Sequence, residues 1–266
     1  MRTYKDIISL SKNERGIWDL DTIKGCKSGI LENTKGCYND CYAYKTAKRY
    51  GIDFKQSINR NFENEAHRLS IIKQIEKIDM SFIRIGCTGD PSEDWEHTLK
   101  IIRQLKQQNQ LSLFDVSSKK QIVIITRHWN ILTDEQLNEI SKYNICINTS
   151  VSALDNDRLI NIALEQYNRL KPYCKSILRI VSCDFNESNE IGKQKLEIQH
   201  KLFKNENTID TVFRPSKSNP FVKNDIIKIR KMGFMKSKTI VSKFNKKAYL
   251  GKCNTCLEMC GLNVNN

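Results

Sequence analysis

Phe82-IRIGCTGDPSEDWEHTLKIIRQ-Leu105 changes period in mid-course. Its opening FIRIG is a short β-rich apolar run, and its second half is amphipathic at helical spacing. Between them, Thr88-Gly89-Asp90-Pro91 is a turn that passes into a Pro-initiated helix, since Asp, Gly and Pro are the commonest turn residues. One strand, one turn and one helix make a βα unit.

The same alternation recurs outward from this stretch. Further strands are expected at Ile122 to Thr126, Ile145 to Val151, Ile177 to Val181 and Thr211 to Arg214. Helices are expected near 63–78, 93–109, 133–143, 155–171 and 189–203, the third opened by the capping-box pattern Thr133-Asp-Glu-Gln136. Such a βαβα series predicts a parallel sheet with right-handed crossovers, its apolar strands covered on their outer face. With a first strand at Asp21 to Gly25 there are about six units, too few for a full eight-stranded barrel, and either a partial barrel or an open doubly wound sheet suits them.

The chain has 266 residues, 39% hydrophobic and 28% charged, long enough for a real core without disulfides. No apolar run approaches the roughly 18 to 20 residues of a membrane span. The N-terminus MRTYKDIISLSKNERG lacks the apolar segment of a secretory signal, so a cytoplasmic location without membrane partners is expected. No repeat, low-complexity tract or linker divides the chain. One domain over 1–235 with a cysteine-containing extension over 236–266 packed on it is the expected organisation.

Ten cysteines are many for a reducing compartment, where they serve more often as metal ligands or redox groups than as crosslinks. Cys26, Cys37 and Cys41 form a C-x10-C-x3-C group on one loop. Three thiolates can hold three irons of a [4Fe-4S] cluster and leave the fourth iron open. Zinc with a distant fourth ligand and unligated thiols are the other readings. Cys146, in an apolar strand, reads as a small buried hydrophobe.

The GC-x3-CYA run, followed by FIRIGCTGDPSEDWEHTLKIIRQL, IVIITRHWNIL and ICINTSVSALDNDRL, resembles the radical S-adenosylmethionine (SAM) superfamily, in particular the subgroup of spore photoproduct lyase and related phage-encoded proteins. The resemblance runs from about residue 18 to 215. The superfamily spacing is C-x3-C-x2-C, so the first interval here is longer. The resemblance implies a partial (β/α)6 TIM-type barrel whose cluster loop follows the first strand. It implies a [4Fe-4S] cluster on Cys26, Cys37 and Cys41 that takes SAM and cleaves it to a 5'-deoxyadenosyl radical, with an external electron donor. Thr88, Gly89 and Asp90 match a segment that contacts the SAM amino group. Among strand-end polar residues, Ser150 is a cofactor-binding candidate and Arg179 could pair with the SAM carboxylate or form a structural ion pair. The thiol of Cys87 could donate a hydrogen atom or ligate metal. His128 could be a ligand or proton donor, or an unremarkable loop residue.

Cys253, Cys256 and Cys260 form a second group, C-x2-C-x3-C, read as an auxiliary iron-sulfur cluster or as zinc with a fourth ligand such as Cys174, Cys183 or His200. The formal charge of +14 is concentrated beside it: twelve Lys and two Arg against three acids leave +11 between Lys201 and Lys252. That field suits a nucleic acid or nucleotide-derived substrate, or is a solvated Lys-rich surface. The competing function is a non-catalytic nucleic-acid-binding protein stabilised by zinc or iron-sulfur.

Overall fold

Runs of isoleucine and valine crowd at χ1 and pack well on a pleated surface, and here they become the sheet strands. The computed structural model describes residues 2–13, 16–106, 117–211, 213, 219–223, 240–241, 249–250, 256 and 258–264. The fold is mixed α/β with a mostly parallel sheet. It divides into two units, the first Met1–Asn13, Ile17–Ile147 and Leu170–Lys175, the second Glu14–Gly16, Asn148–Arg169 and Ser176–Asn266.

In chain order the first unit contains β1 (Ser11–Lys12), β2 (Trp18–Asp19), β3 (Ile23–Lys24), α1 (Lys27–Glu32), α2 (Tyr42–Arg49), β4 (Ile58–Asn59), α3 (Glu65–Lys77), β5 (Phe82–Ile85), α4 (Trp95–Lys106), β6 (Gln121–Thr126) and α5 (Asp134–Ile140). Strands lie in the order β1-β2-β5-β6. β1 is antiparallel to β2, whereas β2 runs parallel to β5 through Asp19 and Arg84, and β5 parallel to β6 from Phe82–Gln121 to Ile85–Ile124. All four residues of β5 are buried, as a covered parallel strand requires. α5 opens with the expected capping box, the Thr133 hydroxyl accepting from Gln136 N–H while the Gln136 side chain caps Thr133. β7 (Ile145–Val151) starts in this unit, where the Asn144 carbonyl accepts from Ile122 N–H at 3.2 Å.

The expected strand at Asp21 to Gly25 is displaced. Its place beside β5 is taken by β2, and Ile23–Lys24 pairs antiparallel with β4 in a separate ribbon. The chain leaves the sheet at Asp21, whose carboxylate turns to accept backbone hydrogens beyond β5. Arg60, absent from sequence reasoning, is buried and donates to the carbonyls of Lys5, Ile7 and Asp21, tying down the N-terminal segment. The expected helix over 93–109 divides into a 3-10 turn at Pro91–Asp94 and α4, and residues 107–109 lie outside the described ones.

The second unit holds the end of β7, α6 (Asp157–Leu170), β8 (Lys175–Ile180), α7 (Glu190–Phe203) and β9 (Thr208–Asp210). β8 and β9 are parallel, and Val181 N–H donates to the Val151 carbonyl at 2.7 Å. Val151, Ile160, Ala163, Tyr167, Leu178, Ile180 and Leu202 form its core. The strand expected from Thr211 begins three residues earlier. Its ladder continues as Thr211 and Phe213 donate to the carbonyls of Ile180 and Ser182, both at 2.7 Å; Arg214 lies outside the described residues. β10 (Ile240–Val241) and β11 (Tyr249–Leu250) make an antiparallel pair. The expected boundary at 235/236 also falls outside the described residues. Among the described residues, no helix is long and apolar enough to cross a membrane.

Gly89 marks a close backbone approach in the first unit. A Cβ there would lie 2.3 Å from the Ile23 carbonyl oxygen and 2.8 Å from that of Gly25, neither of which can rotate away. Gly89→Ala should therefore destabilise the protein by about 2 kcal/mol or more, read as a lower urea midpoint. An unchanged midpoint would show that the two segments part freely.

Candidate metal centre and the strand-end turn

Two short helices present the first cysteine group. Cys26 is the N-cap of α1, its sulfur accepting from Gly29 N–H at 3.2 Å. Cys41 is the N-cap of α2, without a side-chain hydrogen bond to the helix start. Cys37 starts a 3-10 turn, Cys37–Asn39, in which Tyr38 and Asn39 both have a φ of 57°. Amide hydrogens aimed at sulfur favour thiolate and the metal-bound form.

The three thiols are neighbours despite the long first interval. Cys26 packs in one cluster with Ala43, Ala47 and Phe54, against which Cys41 also rests. A Cβ on Gly29 would lie 2.9 Å from the Cys26 sulfur, 3.7 Å from the Cys37 sulfur and 3.5 Å from His128 Nε2, so glycine keeps open a space bounded by two thiols and an imidazole. At Gly36, with φ +75°, a Cβ would fall 3.4 Å from the Cys41 sulfur. His128 Nε2 touches the Cys37 sulfur at 3.4 Å. Among the described residues, no group of three or more His, Cys, Asp or Glu side chains is arranged to hold a metal ion.

Desolvation dominates the acid-base state of these groups. It pushes the Cys26 and Cys41 thiols up, and Cys37 up to about 12 although the charge of Arg127 opposes the rise. Burial also lowers His128, which favours the neutral imidazole.

The turn after β5 is built on two carboxylates. Asp21 accepts from the N–H groups of Gly86, Cys87 and Thr88 at 3.1, 2.7 and 3.0 Å, and from the Thr88 hydroxyl at 2.5 Å. Thr88 in turn accepts from Gly25 N–H at 3.1 Å, which sets Cys26 beside this turn. Asp90 caps Ser92 N–H and accepts from the Thr126 hydroxyl at 2.5 Å and from Arg127 and His128 N–H, both at 2.8 Å. Both Asp90 oxygens are thus engaged by protein groups. In the chain alone Thr88, Gly89 and Asp90 position the loops, and sequence reasoning missed the anchor, Asp21. The second of the two acids in WDLDTIKGC, two residues past a short strand, is the only local signal.

Cys87 lies in the same turn. Its sulfur is 2.9 Å from the Tyr42 hydroxyl and 3.4 Å from Arg84 Nη2, and Arg84 is ion-paired with buried Asp19 at 2.8 Å. Desolvation pushes this thiol up to about 12, against the pull of Arg84, so it is S–H at neutral pH. Tyr42 also donates to the Cys87 carbonyl at 2.6 Å.

The other expected site residues belong to the second unit. Ser150 is buried in β7, and Arg179 is half-buried in β8 opposite Ile209. Cys256 and Cys260 lie on the C-terminal turn, and Cys253 is outside the described residues. Burial pushes the Cys256 thiol up, and the Cys260 carbonyl accepts from Asn148 Nδ2 at 3.0 Å. Cys146 is fully buried, as expected, and Cys183 is held by two hydrogen bonds to Gln199. Trp95 and Trp129 pack on each other with ring centres 5.4 Å apart. No protein-family model, curated protein or solved structure matches the chain.

The high thiol values have a consequence for the metal-free protein. Unfolded thiols ionise near 9, whereas Cys37 and Cys87 hold their protons to about 12 in the fold. Their contribution to stability is complete below pH 9 and is lost as the pH rises through that window, on the order of 1 kcal/mol per pH unit and thiol. The urea midpoint should fall less steeply between pH 8.5 and roughly 10.5 in Cys87→Ala than in the parent. Equal slopes would contradict the assignment.

Proposed function

We propose that the chain is a radical SAM enzyme whose [4Fe-4S] cluster is held by Cys26, Cys37 and Cys41. The observation that carries this reading is that Cys26 and Cys37 bound the space that Gly29 keeps open, with Cys41 packed on the Cys26 cluster and the strand-end turn Cys87 to Asp90 alongside. The donor set fits such a cluster: the ligands are sulfur, a backbone hydrogen reaches that of Cys26, and Cys26 and Cys41 pack with Ala43, Ala47 and Phe54. The fold that accompanies this reading is the partial (β/α)6 barrel, and the location cytoplasmic.

When bound, the cluster and SAM supply reductive cleavage to a 5'-deoxyadenosyl radical. The chain's own part is positional. Asp21 and Asp90 fix the turn, Gly25 and Gly89 allow it to approach the cysteine loop, and Thr88, Gly89 and Asp90 present it to the cofactor. Cys87 is the candidate hydrogen-atom donor, since desolvation keeps its proton and Tyr42 orients its sulfur. Ser150 and Arg179 are proposed to contact SAM, Arg179 through the carboxylate. Cys253, Cys256 and Cys260 are proposed to hold a second iron-sulfur cluster or zinc. The positive charge of Lys201 to Lys252 supports a nucleic acid or nucleotide-derived substrate, and an external donor would provide the electron.

A second reading rests on His128. Its contact with Cys37 places an imidazole among the thiols, and Cys with His is also a zinc donor set, suited to a non-catalytic nucleic-acid-binding protein. Anaerobic reconstitution with iron and sulfide, followed by SAM and reductant, separates the two. The enzyme should release 5'-deoxyadenosine, and Cys26→Ala, Cys37→Ala and Cys41→Ala should each abolish it. Tightly bound zinc without iron, or a cluster indifferent to SAM, would refute the enzyme reading.

A further inference from the structure

Arg127 follows β6, and its guanidinium reaches into the cysteine loop. Nη1 and Nη2 donate to the two carboxylate oxygens of Glu32, the Nη2 bond being 3.0 Å long. Nε donates to the Tyr38 hydroxyl at 3.2 Å, and the guanidinium carbon is 4.4 Å from the centre of the Tyr38 ring. Glu32 ends α1 and Tyr38 directly follows Cys37, so one side chain grips the loop on both sides of that cysteine. The grip is shielded, with the Arg127 side chain 9% and that of Glu32 21% exposed. Nη1 also lies 3.0 Å from His128 Nε2, the atom in contact with the Cys37 sulfur.

Two features of the loop call for such a support. Tyr38 and Asn39 hold left-handed backbone, a conformation that costs a non-glycine residue about 1 kcal/mol and persists where neighbours enforce it. The Cys37 sulfur, unlike those of Cys26 and Cys41, sits at no helix N-cap and meets side chains of β6-end residues instead.

We propose that Arg127 is a positioning residue of the cysteine centre: it fixes the Cys37 turn through Glu32 and Tyr38, and its charge, opposed by that of Glu32, sets the electrostatic environment of the Cys37 sulfur. A bidentate guanidinium-carboxylate pair is directional as well as strong. Charges and hydrogen bonds one shell outside a metal ligand orient it and tune the reduction potential of the metal. The electrostatic half rests on the cluster reading above, whereas the mechanical half is a property of the metal-free fold.

Two measurements test the two halves. In metal-free protein, amide exchange over residues 32–41 should rise at least about tenfold in Arg127→Gln, because a shielded pair has been broken. Unchanged exchange would overturn the positioning role. In protein reconstituted with iron and sulfide, Arg127→Gln removes a positive charge and should shift the midpoint potential down, and Glu32→Gln removes a negative charge and should shift it up. Loosening of the loop alone would move both variants the same way, so shifts of one sign, or none, would overturn the electrostatic role. If the parent protein assembles no cluster, the reading under Proposed function fails and the exchange experiment decides the positioning role alone.

Discussion

The carboxylate of Asp21 accepts four hydrogen bonds from one three-residue turn, and the site is assembled on that turn. Each bond to a charged acceptor contributes on the order of 1.5 to 3 kcal/mol, and removing the acceptor would strand three backbone donors in a water-poor setting. The chain leaves the sheet after β2, where this side chain turns to the end of β5; β3 pairs with β4, and Gly25 meets Thr88. Cys26 follows at once, placed beside the turn Cys87 to Gly89.

A second carboxylate repeats the device one strand further on. Asp90 joins the start of the 3-10 turn to Thr126, Arg127 and His128, and so carries the β6 end toward the cysteine loop. The loop itself has little regular structure: a six-residue helix, a 3-10 turn with left-handed residues and an eight-residue helix. Its shape is imposed by neighbours, through Ala43 and Ala47 packing near Cys26 and through Arg127 gripping Glu32 and Tyr38. Rigid strands thus supply the frame and polar side chains aim the thiols.

The long elements were legible in the sequence because their signals are local. ICINTSV at 145–151 is a strand with the expected bounds, QIVIIT differs by one residue, and α5, α6 and α7 start within two residues of their expected positions. The two-residue strands were not legible, since Trp18–Asp19 and Ile58–Asn59 carry no period and are strands only through their partners. The cysteines of the site could be named from spacing and type. What the sequence hid were the residues that hold them, because Asp21 to Thr88, Glu32 to Arg127 and Cys37 to His128 join positions far apart in the chain. His128 is the plainest instance: in sequence it reads as a ligand, a proton donor or an ordinary loop residue, and only the fold brings it to the Cys37 sulfur.

The central claim is that Cys26, Cys37 and Cys41 together ligate an iron-sulfur cluster despite the ten-residue interval between the first two. X-ray absorption at the iron edge of anaerobically isolated protein tests it most directly. The account predicts iron in a sulfur environment with the short iron-iron distance of a cluster, lost in Cys26→Ala as fully as in Cys37→Ala. A single metal ion in a mixed nitrogen and sulfur shell, unaffected by replacing Cys26, would contradict it.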